Sequence, residues 1–384
     1  MSKIGKDQTY AREVNTLAII DSLTKNDLSG TDLKELLSLS SATISSILKE
    51  LEGTKLIKVI EASSIYGKGR KRVVYSINDE YGLILCVNIS NYHARISLSN
   101  LKCNIIKSID IQIKKYDSSS VYQIILEASK LILSLENKQP LLNIVISVPG
   151  RVNSETNELL LSNQFEEDII VDNFIPKMFR KQFGEKVPVY LVNDINLFAI
   201  GEILQGQLKN VNNAIFLSVD YGIGGSLILQ KKIFEGDKGY AGEFGLITYC
   251  DNGVYAPIDE FVSLRVLINK ASELLGKEIT RDELIELYSQ NKEIKEMVLY
   301  SGRILGKALR EIIDVLDIST IVLGGRISLF GNEYLTAIKS SFETSVTVPN
   351  ISFSTLKDDG EILGAATFGA NKFFKRSVRG RNEK

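Results

Sequence analysis

Asn193 and Asp194 stand side by side at the end of an apolar run, in "VPVYLVND". An amide beside a carboxylate can donate to and accept from hydroxyl groups, and a site built to pair hydroxyls rejects ligands that lack them. The same two residues suit a helix start, because "DINLFAIGEIL" continues as an apolar helix and Asn is a favoured N-cap. "IVLGGRIS", Ile321 to Ser328, is a second point of interest: a short apolar strand running into a Gly-Gly turn, where a nucleotide could touch backbone. The chain has one histidine, His93, which excludes a multi-histidine metal site. Cys86, Cys103 and Cys250 form no Cys-x-x-Cys pair, and their odd number argues against a disulfide framework.

These groups sit in 384 residues, of which 44% are hydrophobic and 24% charged, the composition of an ordinary globular protein of two or three compact units. No run of eighteen apolar residues suggests a membrane span, and "MSKIGKDQTYAREVN" lacks the apolar core of a signal peptide, so a cytoplasmic location is expected. From about Tyr81 apolar strands alternate with helical stretches: "LILCVNIS", "ARISLSN", "NIVISVPG" and "AIFLSVDYGIGGSLIL" are strand-like, "SVYQIILEASKLILSL" and "SGRILGKALREIIDVLD" helix-like. That alternation predicts an α/β domain with its sites at the carboxyl ends of strands.

The first eighty residues read differently. In "AREVNTLAIIDSLT" the residues Val14, Leu17, Ile20 and Leu23 predict an amphipathic helix. Ser29 and Asp32 form a capping-box pair before Leu33, Leu36 and Leu37, and Ile44, Ile47, Leu48 and Leu51 define a third buried stripe at i, i+3, i+4 and i+7. This leaves Ser41, Thr43, Ser45, Ser46 and Lys49 outward, as in a helix-turn-helix whose second helix offers small polar side chains to base edges. The strand-turn-strand that follows carries Lys68, Arg70, Lys71 and Arg72 at its "GKGRKR" tip, as a wing suited to phosphate contact and minor-groove insertion. Net charge is −1, so any nucleic-acid surface must be local. An ordinary three-helix bundle with a solvated Ser/Thr face and hairpin tip remains the alternative for this segment.

The order of helix-turn-helix and wing, "VPGRV", "VNDINLFAIGE", "GIGGSLI", "GYAGEFG", "IVLGGRIS" and "ILGAATFGA" resembles the ROK family, which groups sugar-responsive repressors with bacterial sugar kinases. The resemblance runs from about Ala11 to Phe374. It implies an actin/hexokinase-like (ribonuclease H-like) α/β domain of two lobes with sugar bound in the cleft between them. By resemblance Asp194 occupies the position of the kinases' general base. Glu243 matches a second sugar-binding carboxylate, and Asn163 and Asp259 fall near further cleft residues of the family.

Departures from the family pattern matter as much. Leu246 stands where the family has a histidine, and one cysteine, Cys250, replaces a cysteine-rich loop, so neither the structural zinc nor the histidine's hydrogen bond to sugar is expected. In the first phosphate loop Asn88 replaces an aspartate, and Ser90, Asn91, Tyr92 and His93 replace Gly-Gly-Thr-Lys; His93 then reads as a loop or surface residue. In the second, "DYGIGGS", Asp220 puts a carboxylate beside phosphate oxygens, a contact costing about 4 kcal/mol at ~4 Å and an effective dielectric near 20.

The sequence therefore predicts a winged helix-turn-helix over residues 1–80 and a two-lobed ROK sugar-binding domain over 81–384. It predicts a transcriptional repressor of carbohydrate-metabolism genes, a homodimer or homotetramer that binds operator DNA. Its effector is a sugar or polyol held by Asn163, Asn193, Asp194, Glu243 and Asp259. No cofactor, metal or membrane partner is expected, and Asp194 is a vestigial base. The alternatives are an ATP-dependent sugar kinase and a sugar-binding protein without DNA function.

Overall fold

A computed structural model describes residues 3–61, 73–90, 93–162, 164–343 and 347–382. Two compact units emerge: Met1–Val148 with Asn157–Val192 and Ala365–Lys384, and Pro149–Thr156 with Asn193–Gly364.

The first unit opens with α1 (Lys3–Lys25), β1 (Leu28–Ser29), α2 (Gly30–Leu37), α3 (Ser41–Gly53), β2 (Ile57–Glu61) and β3 (Val73–Ile77). The three strands pair antiparallel in the order β1-β3-β2. Ile44, Ile47, Leu48 and Leu51 of α3 are all buried, together with Ile19, Ile20, Leu23, Leu33 and Ile77. At roughly 1.5–3 kcal/mol per buried aliphatic side chain, this cluster is what holds three short helices together. Ser29 caps α2 and Asp32 answers its backbone N–H at 2.9 Å, the reciprocal arrangement that the sequence predicts. Ser38 takes a left-handed conformation (φ 55) to end α2, and two residues later Ser40 caps α3 by accepting from Thr43 N at 3.1 Å.

The expected inner face of α1 needs correction. Val14 is 46% exposed, and the buried residues are Thr16, Ile19, Ile20, Ser22 and Leu23. The helix begins well before the apolar repeat, and only its C-terminal half lies over the core. Thr16 and Ser22 are tolerated inside because their hydroxyls return to the carbonyls of Arg12 and Ala18, each at 2.8 Å. Leu36 is likewise exposed, since two-turn α2 turns only Leu33 fully inward.

The same unit continues with β4 (Leu83–Ser90), β5 (His93–Ser99), β6 (Ile105–Gln112), α4 (Ser118–Leu133), β7 (Leu141–Val148), β8 (Arg151–Asn153), β9 (Glu158–Leu161), α5 (Glu167–Val171), α6 (Phe174–Phe183) and β10 (Val189–Asn193), β8 itself belonging to the second unit. A five-stranded sheet results, ordered β10-β7-β4-β5-β6. β4 is buried along almost its whole length, which is why "LILCVNI" shows no alternation. Lys102 ties the N-terminal helices and strands to this sheet region, reaching Asp27 and Ser76 at 2.9 Å each.

The second unit contains α7 (Asp194–Gln205), β11 (Ala214–Val219), β12 (Ile223–Leu229), β13 (Lys232–Phe234), β14 (Thr248–Asp251), β15 (Val254–Pro257), α8 (Asp259–Val262), α9 (Leu264–Leu275), α10 (Arg281–Gln290), α11 (Lys292–Leu316), β16 (Thr320–Gly324), α12 (Gly331–Lys339) and β17 (Asn350–Phe353). α13 (Gly360–Asn382) begins here and continues into the first unit. The sheet runs β13-β12-β11-β16-β17. Both five-stranded sheets follow one plan: three consecutive strands form an antiparallel meander, and the first of them pairs in parallel with a later strand, β4 with β7 and β11 with β16. Among the described residues no helix is long and apolar enough to cross a membrane.

Candidate functional site

Asn193 ends β10 and caps α7, its Oδ1 accepting from Asn196 N at 2.9 Å. Its Nδ2 donates to Gly150 O at 2.9 Å and to Asp194 Oδ1 at 3.1 Å. The cap reading of this residue is therefore met, and its amide hydrogens are already used. Asp194 Oδ1 also accepts from Ile195 N at 2.9 Å, whereas Oδ2 receives no hydrogen bond from another described residue. Burial pushes the Asp194 carboxyl up to about 7, and the neighbouring Glu361 carboxylate adds to the rise. At neutral pH such a group is poised between donor and acceptor.

The residue after Gly150 supplies the next contact. Arg151 Nε donates to Glu243 Oε1 at 2.9 Å, and its guanidinium lies 4.8 Å from the centre of the Tyr240 ring. Gly150 and Arg151 are thus held from two sides, by Asn193 and by Glu243. Glu243 gets its place from close backbone packing. Gly242 has φ +93, and a Cβ there would come within 2.4 Å of Gly225 O, so only glycine lets this turn lie on β12.

Two further expected effector residues remain, Asp259 and Asn163. Asp259 starts α8 and accepts from Ile223 N at 2.7 Å while pairing with Arg265 at 3.1 Å. It braces the turn between β11 and β12. Asn163 lies outside the described residues. Arg151, Tyr240 and Glu361 were not among the sequence-predicted site residues. The available signal was a charged residue following the strand-ending Pro149-Gly150 in "VPGRV".

On the nucleotide side, Gly325 (φ +81) and Gly324 are required by packing: a Cβ on Gly325 would meet Val219 O at 2.3 Å, and one on Gly324 would meet Phe216 Cζ at 2.8 Å. Asp220 has basic neighbours. Burial raises its pKa, but Arg326 and Arg281 act in the opposite sense, so two guanidinium groups offset the charge that was to repel phosphate. The like-charge penalty inferred from sequence is correspondingly smaller. Asn88 is buried in β4, and neither atom of its amide has a hydrogen-bond partner among the described residues. His93 opens β5 and pairs with Asp110 at 2.8 Å.

In the N-terminal segment Ser41, Ser45, Ser46 and Lys49 are exposed on α3, while Thr43 is half-buried against Ser40. Lys68, Arg70, Lys71 and Arg72 lie outside the described residues. The zinc loop of the family has no counterpart that fits the metal: β14 and β15 form a hairpin bearing the exposed Cys250, and Leu246 is 56% exposed. Among the described residues no group of three or more His, Cys, Asp or Glu could hold a metal ion.

Two sheets of the same plan, each led by an antiparallel meander, define an α/β protein built on a repeated topology. The chain belongs to the ROK family, which it matches over residues 84–376. It is 25% identical to a xylose repressor of Caldicellulosiruptor bescii, with 93% of this chain and 96% of that one covered. It is 30% identical to the xylose repressor of Staphylococcus xylosus over 70% of each chain. Among solved structures, a ROK family transcriptional regulator described as a homologue of the E. coli MLC protein superposes with a TM-score of 0.81 at 20% identity, covering 97% of this chain and all of that one.

Proposed function

We propose that this protein is a DNA-binding transcriptional repressor of carbohydrate-metabolism genes, released or engaged by a sugar or polyol effector. Residues 1–80 act as a winged helix-turn-helix, and residues 81–384 form an actin/hexokinase-like ROK domain of two lobes that binds the effector. The observation that carries this reading is the reach of the likeness to repressors beyond the family domain, through almost all of the chain. The exposed serines of α3 over a small antiparallel sheet support it. Ser41, Thr43, Ser45, Ser46 and Lys49 face the operator, and Lys68, Arg70, Lys71 and Arg72 contact its phosphates and minor groove.

Asn193, Asp194 and Glu243 centre the effector site, with Asn163 and Asp259 as further members. The protein works in the cytoplasm as a homodimer or homotetramer, since paired modules multiply weak single contacts. It needs no cofactor. Fluorescence anisotropy with DNA from upstream of its own gene, with and without a sugar panel, tests the reading; specific binding that no sugar alters would refute the effector half.

One observation favours a second reading. Asp194, with an open Oδ2 and a pKa near neutrality, has the properties of a general base in an ATP-dependent sugar kinase. A coupled assay with hexoses, pentoses and ATP-Mg decides: sugar-dependent turnover that Asp194→Asn abolishes establishes the kinase.

A further inference from the structure

The groups around Asp194 are rich in acceptors and short of donors. Asn193 spends both amide hydrogens inside the chain, on Gly150 O and Asp194 Oδ1. Glu243 keeps Oε2 without a partner among the described residues, and Asp194 keeps Oδ2. A polyhydroxylated ligand must both donate and accept, because a hydroxyl that loses water and gains only one bond binds poorly. Among the described residues of this set the donors left are the two terminal nitrogens of Arg151, whose Nε donates to Glu243.

Tyr240 completes the surface. Gly239 takes φ +74 and approaches β8 so closely that a Cβ would lie 2.7 Å from Val152 O, which sets the next residue's ring over the Arg151 guanidinium. The ring is 39% exposed, enough to offer a face to the C–H side of a pyranose. The stacking and the Glu243 bond together fix the guanidinium plane, so its remaining donors have set directions.

We propose that Arg151 and Tyr240 contact the effector directly, Arg151 through its terminal nitrogens and Tyr240 through its exposed ring. This rests on the reading of Asp194 and Glu243 as effector-binding residues. Arg151 donates to a ring hydroxyl that Glu243 or Asp194 also engages.

Calorimetric titration of the full chain tests it with D-xylose, D-glucose, D-galactose and D-mannose. The sugar that binds is then compared with its mono-deoxy analogues in wild type, Arg151→Met and Arg151→Lys. Methionine keeps an aliphatic stem over Tyr240 and removes the donors. The expected result is at least a tenfold loss for the parent sugar in Arg151→Met, a smaller loss in Arg151→Lys, and one deoxy analogue that binds wild type and Arg151→Met within twofold of each other. An equal loss for the parent sugar and every analogue overturns the direct contact and leaves Arg151 a support for Glu243. Binding of none of these sugars, with DNA retention intact, overturns the effector reading of the site together with this inference.

Discussion

Arg12 of α1 reaches the outer face of α3, where its Nη2 lies 2.6 Å from Glu50 Oε2 and 3.3 Å from Ser46 Oγ. Glu50 is a carboxylate one turn beyond Ser46 on α3, and Arg12 offsets its charge. Replacing Arg12 by alanine is expected to weaken operator binding about tenfold, by removing the cation that screens the Glu50 charge from the phosphates. Stability should change by less than about 1 kcal/mol, because the pair is exposed. Anisotropy titrations of Arg12→Ala and of Arg12→Ala with Glu50→Gln check this, and the double variant should recover most of the loss.

The Asp194 carboxyl gives the folded chain a pH signature. It titrates at about 7 when folded against an ordinary value of 3.8, so between those limits the folded state holds a proton that the unfolded chain has released. Stability from this group is greatest at or below about pH 4, falls as pH rises through 7, and is level beyond. Burial is the larger cause of this rise and the Glu361 carboxylate the second, so both groups share in the pH dependence. Asp194→Asn should therefore match wild type in thermal melts at pH 4 and melt higher at pH 8.

Gly242→Ala places a methyl group where 2.4 Å separates it from Gly225 O, at a φ of +93 that alanine avoids. A loss of about 2–4 kcal/mol is expected, combining backbone strain with forced separation of two chain segments. Since Glu243 is the next residue, effector affinity should fall with it. Denaturant titration and calorimetry read the two effects separately.

Ile47→Ala empties a site at the centre of the N-terminal helical core, where the side chain is fully buried. Such truncations cost about 2–5 kcal/mol. Operator binding should collapse in the variant while sugar binding by the second unit's residues persists, measured on the same sample.

Much of this architecture was legible locally. The α3 stripe, the Ser29–Asp32 capping box and the β4, β7 and β11 strands each follow from residues within one element, where side-chain period and capping chemistry act over three or four positions. What escaped depends on distant partners. Arg151 finds Glu243 across 92 positions and Arg12 finds Glu50 across 38, and no local pattern announces either. The cations near Asp220, Arg281 and Arg326, come to it from other elements. The β14–β15 hairpin read only as a shortened loop, since its "CDNG" turn follows too brief an apolar run to signal a strand.

A ribosome making this chain releases β4 and β7 long before the residue that closes over them. Gly369 fits against Ile84 and Asn143, and Asn143 Nδ2 donates to its carbonyl at 2.9 Å across 226 positions. At roughly 5–20 residues per second, that surface waits some 10 to 45 s for its cover. The first unit is therefore finished only after α13 emerges, and a nascent chain stalled before Ala365 presents the apolar face of its sheet to whatever holdase meets it first.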